Sequence, residues 1–235
     1  MSDFKRALSL VKYGIKPKLT IGSAIVMFVV GLAFEIVQNL FWPEIFYDPQ
    51  NGAAMMFPIG GLFMAIIPMY FPQVLMGLNL AGYVSSSGFS KKMLYDIPVR
   101  VYCVMTMFSY TVVVLLRLAV MHSHPEYEIF MKMGVIELAI IMLVINIYTA
   151  TVFKYYILSI IIFLICYLGI YFPMVGVGPD ITKILMDLCN KPFGVMVAVG
   201  YAIVAISLVI YVLISRALFR VPVSPKIFRT YFKKF

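Results

Sequence analysis

The chain has 235 residues, of which 63% are hydrophobic and 12% are charged, and its mean hydropathy is +1.00. Ordinary soluble domains carry roughly 25% charged residues, so this composition excludes a soluble globular domain. The net charge of +9 does not indicate a nucleic-acid partner, because in a membrane protein the placement of the charges matters more than their sum.

Six long apolar runs are predicted to be membrane-spanning helices, because a helix needs about 20 mainly apolar residues to cross a bilayer. The runs cover residues 19–41, 53–80, 99–121, 131–153, 157–172 and 193–215. Runs that are apolar on every face exclude a transmembrane barrel, whose strands alternate polar and apolar residues. Pro58, Pro68 and Pro72 predict kinks in the second span, and the fifth span is short.

Residues 1–18 have the pattern of an amphipathic helix. Apolar side chains recur at helical spacing, while lysines cluster on another face. Such a helix lies in the membrane surface with its lysines near anionic headgroups. The apolar stripe consists of Phe4, Leu8, Val11 and Ile15. Two interpretations stay open: a basic anchor that orients the first span, or an elbow helix that packs against a cytoplasmic partner.

Ionisable side chains inside the spans need an explanation, because each costs about 2.5–3.5 kcal/mol on insertion scales. The intramembrane polar residues singled out are Glu35, Gln38, Arg117 and Glu137. Glu35, Arg117 and Glu137 are predicted to lie at a similar level in the outer half of the membrane. One hypothesis pairs Arg117 with Glu35 or Glu137 in the interior of the bundle or in a water-filled outer vestibule. The alternative is that these side chains reach to the interface from helix ends, which suits Arg117 better than Glu35.

The connection between spans two and three, residues 82–100, is predicted to contain a short helix. Ser90 can cap it, and Pro98 is expected to end it because a proline disfavours helical backbone at the preceding residue. A helix of under two turns is not stable alone, which indicates a docking partner. The alternative is a polar turn rich in Ser and Gly. The candidate partner-coupling residues are Gly88, Phe89, Lys91, Lys92, Met93, Leu94, Tyr95 and Asp96.

The segment 171–191 is predicted to be re-entrant. Prolines and glycines at its start indicate that the fifth helix stops early, and the apolar spacing that follows predicts a short helix in the outer leaflet. Non-helical backbone at that depth is tolerated only where protein or water covers it, so this segment is expected to line a cavity or lateral gate. A plain extracellular loop is the alternative.

Lysine and arginine residues divide unevenly between the two sides that six spans define. Fifteen of the 19 lie before span one, between spans two and three or at the start of span three, between spans four and five, or after span six. Basic loops stay in the cytoplasm. The sequence therefore predicts that both termini are cytoplasmic and that residues 216–235 form a basic cytoplasmic tail after a six-helix bundle at 19–215.

No catalytic pattern is found. The sequence lacks a phosphate-binding Gly-x-x-x-x-Gly-Lys-Ser/Thr loop, a His-Glu-x-x-His pair and a Gly-x-Ser-x-Gly elbow. Six spans also leave no room within these residues for a nucleotide-hydrolysing domain of ~200 residues. His122, His124, Glu126 and Glu128 could together bind zinc, but exposed His-Glu turns are commonly just solvated. We therefore expect neither an enzyme nor a resident metal or cofactor.

This organisation resembles the permease subunits of the type-2 ATP-binding-cassette exporters. The resemblance covers nearly the whole chain: an amphipathic N-terminal helix, six spans, a short cytoplasmic helix between spans two and three, and a re-entrant region before span six. Residues 86–98 are similar to the coupling-helix region of small permeases in this family, where a serine-rich turn, a basic helix and an Ile/Leu-Pro step precede the third span.

The resemblance implies an all-α polytopic protein that pairs with a second copy or a similar permease in a bacterial cytoplasmic membrane. A separate ATPase chain would bind ATP and Mg²⁺ and dock on residues 88–96 and on the N-terminal helix. The cargo would be a peptide or a lipid-like amphipathic molecule, which would pass along residues 22–38 and 158–171. The alternatives are a gradient-driven transporter or channel without an ATPase, and a membrane scaffold that transports nothing.

Overall fold

A computed structural model describes residues 17–41, 59–70, 72, 91–152, 154–166, 168–169 and 190–221. Within these ranges the chain is helical and contains no β-strand. The α-helices, numbered in chain order, are α1 Pro17–Ile36, α2 Ile59–Ile66, α3 Ile97–Ser123, α4 Glu128–Val152, α5 Tyr156–Cys166 and α6 Phe193–Ala217. Short π-helical segments, Val37–Phe41 and Lys92–Asp96, and 3₁₀ segments, Ile67–Met69 and Pro125–Tyr127, adjoin them.

Four helical stretches are long and apolar enough to cross a membrane: Ile21–Asn39, Leu94–Ser123, Pro125–Val152 and Phe193–Ala217. They coincide with predicted spans one, three, four and six. Predicted spans two and five contain the shorter apolar helices Gly60–Met69 and Tyr156–Cys166. The described residues thus confirm the all-α class and indicate a multi-pass membrane protein, whereas the count of six spans stays a prediction.

Polar side chains lie inside this bundle and large apolar side chains lie outside it. The buried polar set includes Glu35, Gln38, Asn39, Arg117, Lys132, Glu137, Asn146 and Ser207. The exposed apolar set includes Ile25, Val29, Val104, Phe108, Leu115, Ile165, Ile206, Val209 and Leu213. In water both features would cost free energy, whereas lipid tails cover apolar surface without cost. The distribution is therefore the one expected of a protein whose surroundings are hydrocarbon.

Helix α4 is the centre of the bundle. In the most apolar stretch of α4, 72% of the residues are buried, whereas in the corresponding stretch of the first span 17% are buried. Its core residues Val135 and Leu138 pack with Tyr110 and Val113 of α3 and with Val204 of α6, all five fully buried. The α3–α4–α6 packing thus forms the main apolar core.

Helices α1 and α2 cross at two glycines. A Cβ atom at Gly31 would lie 2.9 Å from Phe63 Cβ, and one at Gly60 would lie 2.6 Å from both the Glu35 backbone nitrogen and the Gly31 carbonyl oxygen. Only hydrogen fits at these two positions. The two backbones therefore approach each other directly, as small residues permit in membrane helix pairs.

The expectation that Pro98 ends a separate short helix is wrong. Residues Lys92–Asp96 form a π-helical turn that runs without a break into α3, and Ile97 has helical dihedral angles of −73° and −49°. Pro98 therefore lies inside a continuous helix, in which the hydrogen bond that a backbone N–H would make at this position is missing. The π-turn widens the helix just before the proline, which relieves the clash of its ring with the preceding turn. The residues 91–96 are thus the beginning of the third span.

Three segments that the charge pattern assigns to one side meet at one end of the bundle. The Tyr95 hydroxyl donates a hydrogen bond to the Val212 carbonyl at 3.2 Å, and the Tyr95 ring lies 5.8 Å from that of Phe219. Lys154, between α4 and α5, donates from Nζ to the Val221 carbonyl at 2.6 Å. The start of span three, the α4–α5 turn and the end of α6 therefore share an end, which the sequence predicts to be cytoplasmic.

Several predicted features lie outside the described residues. They are the amphipathic stripe Phe4, Leu8, Val11 and Ile15, the coupling residues Gly88 and Phe89, the re-entrant segment up to residue 189, and the basic tail from residue 222 onward.

Candidate functional site

An ion pair connects α1 to α3 in the interior of the bundle. Arg117 Nη2 donates to Glu35 Oε1 at 3.2 Å, and the exposed fractions of the two side chains are 2% and 0%. These residues are 82 positions apart in the chain. Of the two carboxylates that the sequence offered to Arg117, Glu35 is thus in direct contact with the guanidinium.

Asn39 holds the other oxygen of the same carboxylate. Its Nδ2 donates at 2.6 Å both to Glu35 Oε2 and to the Glu35 backbone carbonyl. Asn39 belongs to the π-helical segment Val37–Phe41, which follows α1. Such π-segments are frequent at functional sites. The carboxylate is therefore held from two directions, by Asn39 on its own helix and by Arg117 from α3.

Two glycines make room for the ion pair. A Cβ atom at Gly134 of α4 would overlap the Arg117 guanidinium at Nη1. The guanidinium therefore lies directly against the backbone of α4. Gly60 of α2 does the same for Glu35, because a Cβ atom there would lie 2.5 Å from Glu35 Cγ. The site is assembled from four helices. Two of them, α2 and α4, contribute a glycine, whose lack of a side chain leaves space for the ion pair.

Further polar groups are buried on α1 and α4, the helices that carry Glu35 and Gly134. Gln38 precedes Asn39, and Glu137 follows Gly134 by three residues, which places it on the same face of α4 about 5–6 Å away. Lys132 is buried too, and its Nζ lies 2.6 Å from Glu128 Oε1, whose side chain is half exposed. Gln38 and Glu137, which the sequence analysis named as intramembrane polar residues, therefore both lie in the interior of the bundle.

Sequence reasoning missed Asn39, Gly60, Gly134 and Lys132. Asn39 carried a usable signal, since a polar residue four positions after Glu35 in an apolar run lies on the same helix face. The two glycines carried none, because the space that they leave is filled by residues distant in sequence.

A second polar network crosses the core nearer the other end of α3. The Tyr102 hydroxyl donates to Asn146 Oδ1 at 2.7 Å, and Asn146 Nδ2 donates to Ser207 Oγ at 2.7 Å. Ser207 in turn donates to the Val204 carbonyl at 2.7 Å. The Tyr102 ring stacks on Tyr211 with centroids 4.2 Å apart. This chain of hydrogen bonds joins α3, α4 and α6 and fixes their mutual register.

The two histidines lie at the end of α3 and in the turn that follows it: His122 is in the last turn of the helix, and His124 comes directly after it. His124 Nδ1 lies 3.2 Å from Glu126 Oε1, and both side chains are accessible to solvent. Across the described ranges, no group of three or more His, Cys, Asp or Glu side chains is arranged to hold a metal ion. This turn therefore gives no support to the zinc alternative.

The described coupling residues lie at the opposite end of α3 from Arg117. Lys91 and Lys92 are exposed, whereas Leu94, Tyr95 and Asp96 are half buried.

Comparison of the chain with family models, with curated proteins and with solved structures finds no match. These comparisons therefore assign no role to either end of α3.

The buried ion pair can do three things chemically. It can tie α1 to α3, accept a charged group in exchange for one of its members, or pass a proton. Ionisable residues inside membranes commonly mark substrate or ion pathways, proton relays or ligand counter-ions.

Proposed function

We propose that the chain is the transmembrane subunit of an ATP-driven exporter of the type-2 ATP-binding-cassette class. It works beside a second permease copy and with a separate ATPase chain, which binds the ATP and Mg²⁺. The cargo is a peptide or a lipid-like amphipathic molecule, and the membrane is the bacterial cytoplasmic membrane. Both termini lie on the side of the ATPase.

One observation carries the proposal: the helix from Lys91 to Ser123 is unbroken. It joins two exposed lysines at one end of the bundle to the buried guanidinium of Arg117 near the other. At 1.5 Å per residue these points are about 39 Å apart. A continuous helix can transmit a displacement along this distance, so in this proposal a force applied at Lys91 and Lys92 reaches the Glu35–Arg117 pair.

The start of this helix is also tied to α6. Tyr95 contacts Val212 and Phe219, so a push on residues 91–96 displaces the end of α6 together with the start of the third span. In this proposal the coupling element is the first turns of a spanning helix. ATP-driven closure of the partner tilts α3 and α6 as rigid bodies, which is a common form of switching.

The test is recovery of the complex from native membranes under mild detergent with a non-hydrolysable ATP analogue. We expect a stoichiometric ATPase chain. Lys91→Glu together with Lys92→Glu is expected to abolish cargo-stimulated ATP hydrolysis, while the chain stays inserted. Lys191→Glu is the matched control, because Lys191 is exposed and precedes α6 at the other end of the bundle. Unchanged stimulation in the double variant would contradict the proposal.

A second candidate function is favoured by the buried carboxylate of Glu35. A gradient-driven transporter commonly uses an intramembrane carboxylate as a proton carrier. Such a protein, purified and reconstituted alone in vesicles, would move its cargo in response to an imposed pH gradient. Glu35→Gln would abolish that movement. Activity of the chain alone would exclude the need for an ATPase and would decide for this second candidate.

A further inference from the structure

An exposed stripe runs along the second half of α6 and ends in two arginines. Ile206, Val209 and Leu213 are each close to 60% exposed, and Arg216 and Arg220 are exposed as well. Successive members are three or four residues apart, so Ile206, Val209, Leu213 and Arg216 line one face of α6, and Arg220 follows in the turn after the helix. The face is apolar for its whole length until the two guanidiniums.

The length of this stripe matches one leaflet of a bilayer. From Ile206 to Arg216 the helix rises about 15 Å, and the hydrocarbon core of a bilayer is about 30 Å thick. A phospholipid that lies along the apolar part therefore brings its phosphate to the level of Arg216. Guanidiniums bind phosphate with two parallel hydrogen bonds, which a neutral apolar surface or a lysine does not offer.

The surroundings of the two arginines are aromatic and carry more cations than carboxylates. The Phe219 ring packs against the Tyr95 ring, and both Arg216 and the carboxylate of Asp96 lie near enough to the Tyr95 hydroxyl to interact with it electrostatically. Lys154 is held at the neighbouring Val221. Within the described residues no carboxylate forms a salt bridge with Arg216 or Arg220. Among the described residues, Arg216, Arg220 and Lys154 thus outnumber the one carboxylate, Asp96, where the start of the third span and the end of α6 meet.

We propose that this face of α6 is a binding site for an anionic phospholipid of the inner leaflet. The acyl chain lies along Ile206, Val209 and Leu213, and the phosphate accepts hydrogen bonds from Arg216 and Arg220. The apolar length and the terminal guanidiniums both complement such a lipid. A soluble partner would gain nothing from the apolar part, because that part lies at the depth of the hydrocarbon.

The test is native mass spectrometry of the full chain, titrated with palmitoyl-oleoyl phosphatidylglycerol and, separately, with the matching phosphatidylcholine. We expect preferential retention of phosphatidylglycerol. Each arginine near a membrane surface adds roughly a fivefold gain in affinity for anionic lipid, so Arg216→Gln together with Arg220→Gln is expected to weaken retention about thirtyfold. Added NaCl is expected to weaken it in the unmodified chain as well.

Three matched variants decide the outcome. Arg216→Lys with Arg220→Lys keeps the charge and is expected to lose only part of the preference. Arg100→Gln removes an exposed arginine at the same end of the bundle, and Lys191→Gln removes a lysine at the other end; both are expected to retain the lipid. Equal loss in these two controls would mean that only the total charge matters, which overturns the proposal.

Two other results would also overturn it. Displacement of the lipid by millimolar inorganic phosphate would show that the arginines bind a free anion and that the apolar stripe contributes nothing. Unchanged lipid retention in the double glutamine variant, with loss of a copurifying permease or ATPase chain instead, would assign this face to a protein. All these variants are at exposed positions, so misfolding does not confuse the comparison, and none depends on whether an ATPase partner exists.

Discussion

Arg117 of α3 and Glu35 of α1 form an ion pair that is completely enclosed by the bundle, with 3.2 Å between Nη2 and Oε1. Each charge alone would be costly in this setting, and the other one compensates it. Removing one partner of a buried ion pair typically costs about 3–5 kcal/mol, whereas replacing both with apolar groups is often neutral. The pair therefore makes α1 depend on α3 for its place in the bundle.

Single and double variants of this pair should differ in a characteristic way. We expect Arg117→Met to lower the free energy of unfolding by about 3–5 kcal/mol, because Glu35 is then buried without the guanidinium. Glu35→Gln should cost a similar amount, because the Arg117 guanidinium cannot lose its proton and is left buried without its carboxylate.

The double variant Glu35→Gln with Arg117→Met should be more stable than the sum of the single effects predicts. Unfolding of the purified chain in mixed detergent micelles, followed by circular dichroism, measures all three. Strictly additive losses would mean that the two side chains do not interact in the folded protein.

Gly134 offers a second test of the same geometry. Alanine at this position places a methyl group in the volume of the Arg117 guanidinium, so the Gly134→Ala variant should lose about 1–3 kcal/mol of stability through overpacking. Gly194→Ala is the matched control, since a Cβ atom there meets nothing within 4 Å.

The control should be neutral or slightly stabilising, because alanine is the better helix former. Thermal denaturation in detergent compares the two variants directly. Equal stability of the two would show that the guanidinium does not lie against the α4 backbone.

Four of the six predicted spans coincide with long apolar helices in the described residues, and the site was readable only in part. Apolar length alone located the four long helices to within a few residues at most ends, because a membrane leaves helix as the only spanning structure for such runs. The beginning of α3 was missed because a proline is expected to disfavour helical backbone at the residue before it. The π-turn at Lys92–Asp96 accommodates Pro98, so the helix continues through this position.

For the site, depth arguments brought Glu35, Arg117 and Glu137 to one level but could not choose the partner of Arg117. That choice depends on which helices are neighbours. It also depends on Gly60 and Gly134, whose missing side chains leave the space that the ion pair fills. Helix adjacency and close backbone approach are tertiary properties, so periodicity and composition do not encode them.

Lys154 should give the stability a measurable pH dependence at alkaline pH. Partial burial lowers the pKa of its ammonium group below the ordinary value of 10.5. Between the lowered pKa and 10.5 the unfolded chain binds more protons than the folded one, so stability rises with pH in this interval. Below the lowered pKa both states are protonated and the burial of the charge is a constant cost.

We therefore expect the unmodified chain to gain stability relative to Lys154→Met as the pH is raised towards 10.5. Unfolding in mixed micelles at a series of alkaline pH values measures this difference. Lys191→Met, at an exposed position, controls for the general effect of removing a lysine. If the stability of the unmodified chain relative to Lys154→Met stays constant or falls as the pH rises, the burial of Lys154 is contradicted.

Asn146 is the centre of the hydrogen-bond network of the main core, since it accepts from Tyr102 and donates to Ser207. Asn146→Leu conserves the volume and removes both bonds, leaving the Tyr102 hydroxyl without this acceptor. Interhelical hydrogen bonds in membrane proteins average about 0.6 kcal/mol and reach about 1.7 kcal/mol, so we expect a loss of about 1–2 kcal/mol.

Tyr102→Phe should lose about half as much, because it removes one of the two bonds. The two variants also test whether the network fixes the register of α4 against α6. If it does, a disulfide introduced across these helices should form more slowly in the Asn146→Leu variant than in the Tyr102→Phe variant. Equal rates of disulfide formation and unchanged stability would mean that apolar packing around Val135 and Val204 sets the register without help from Asn146.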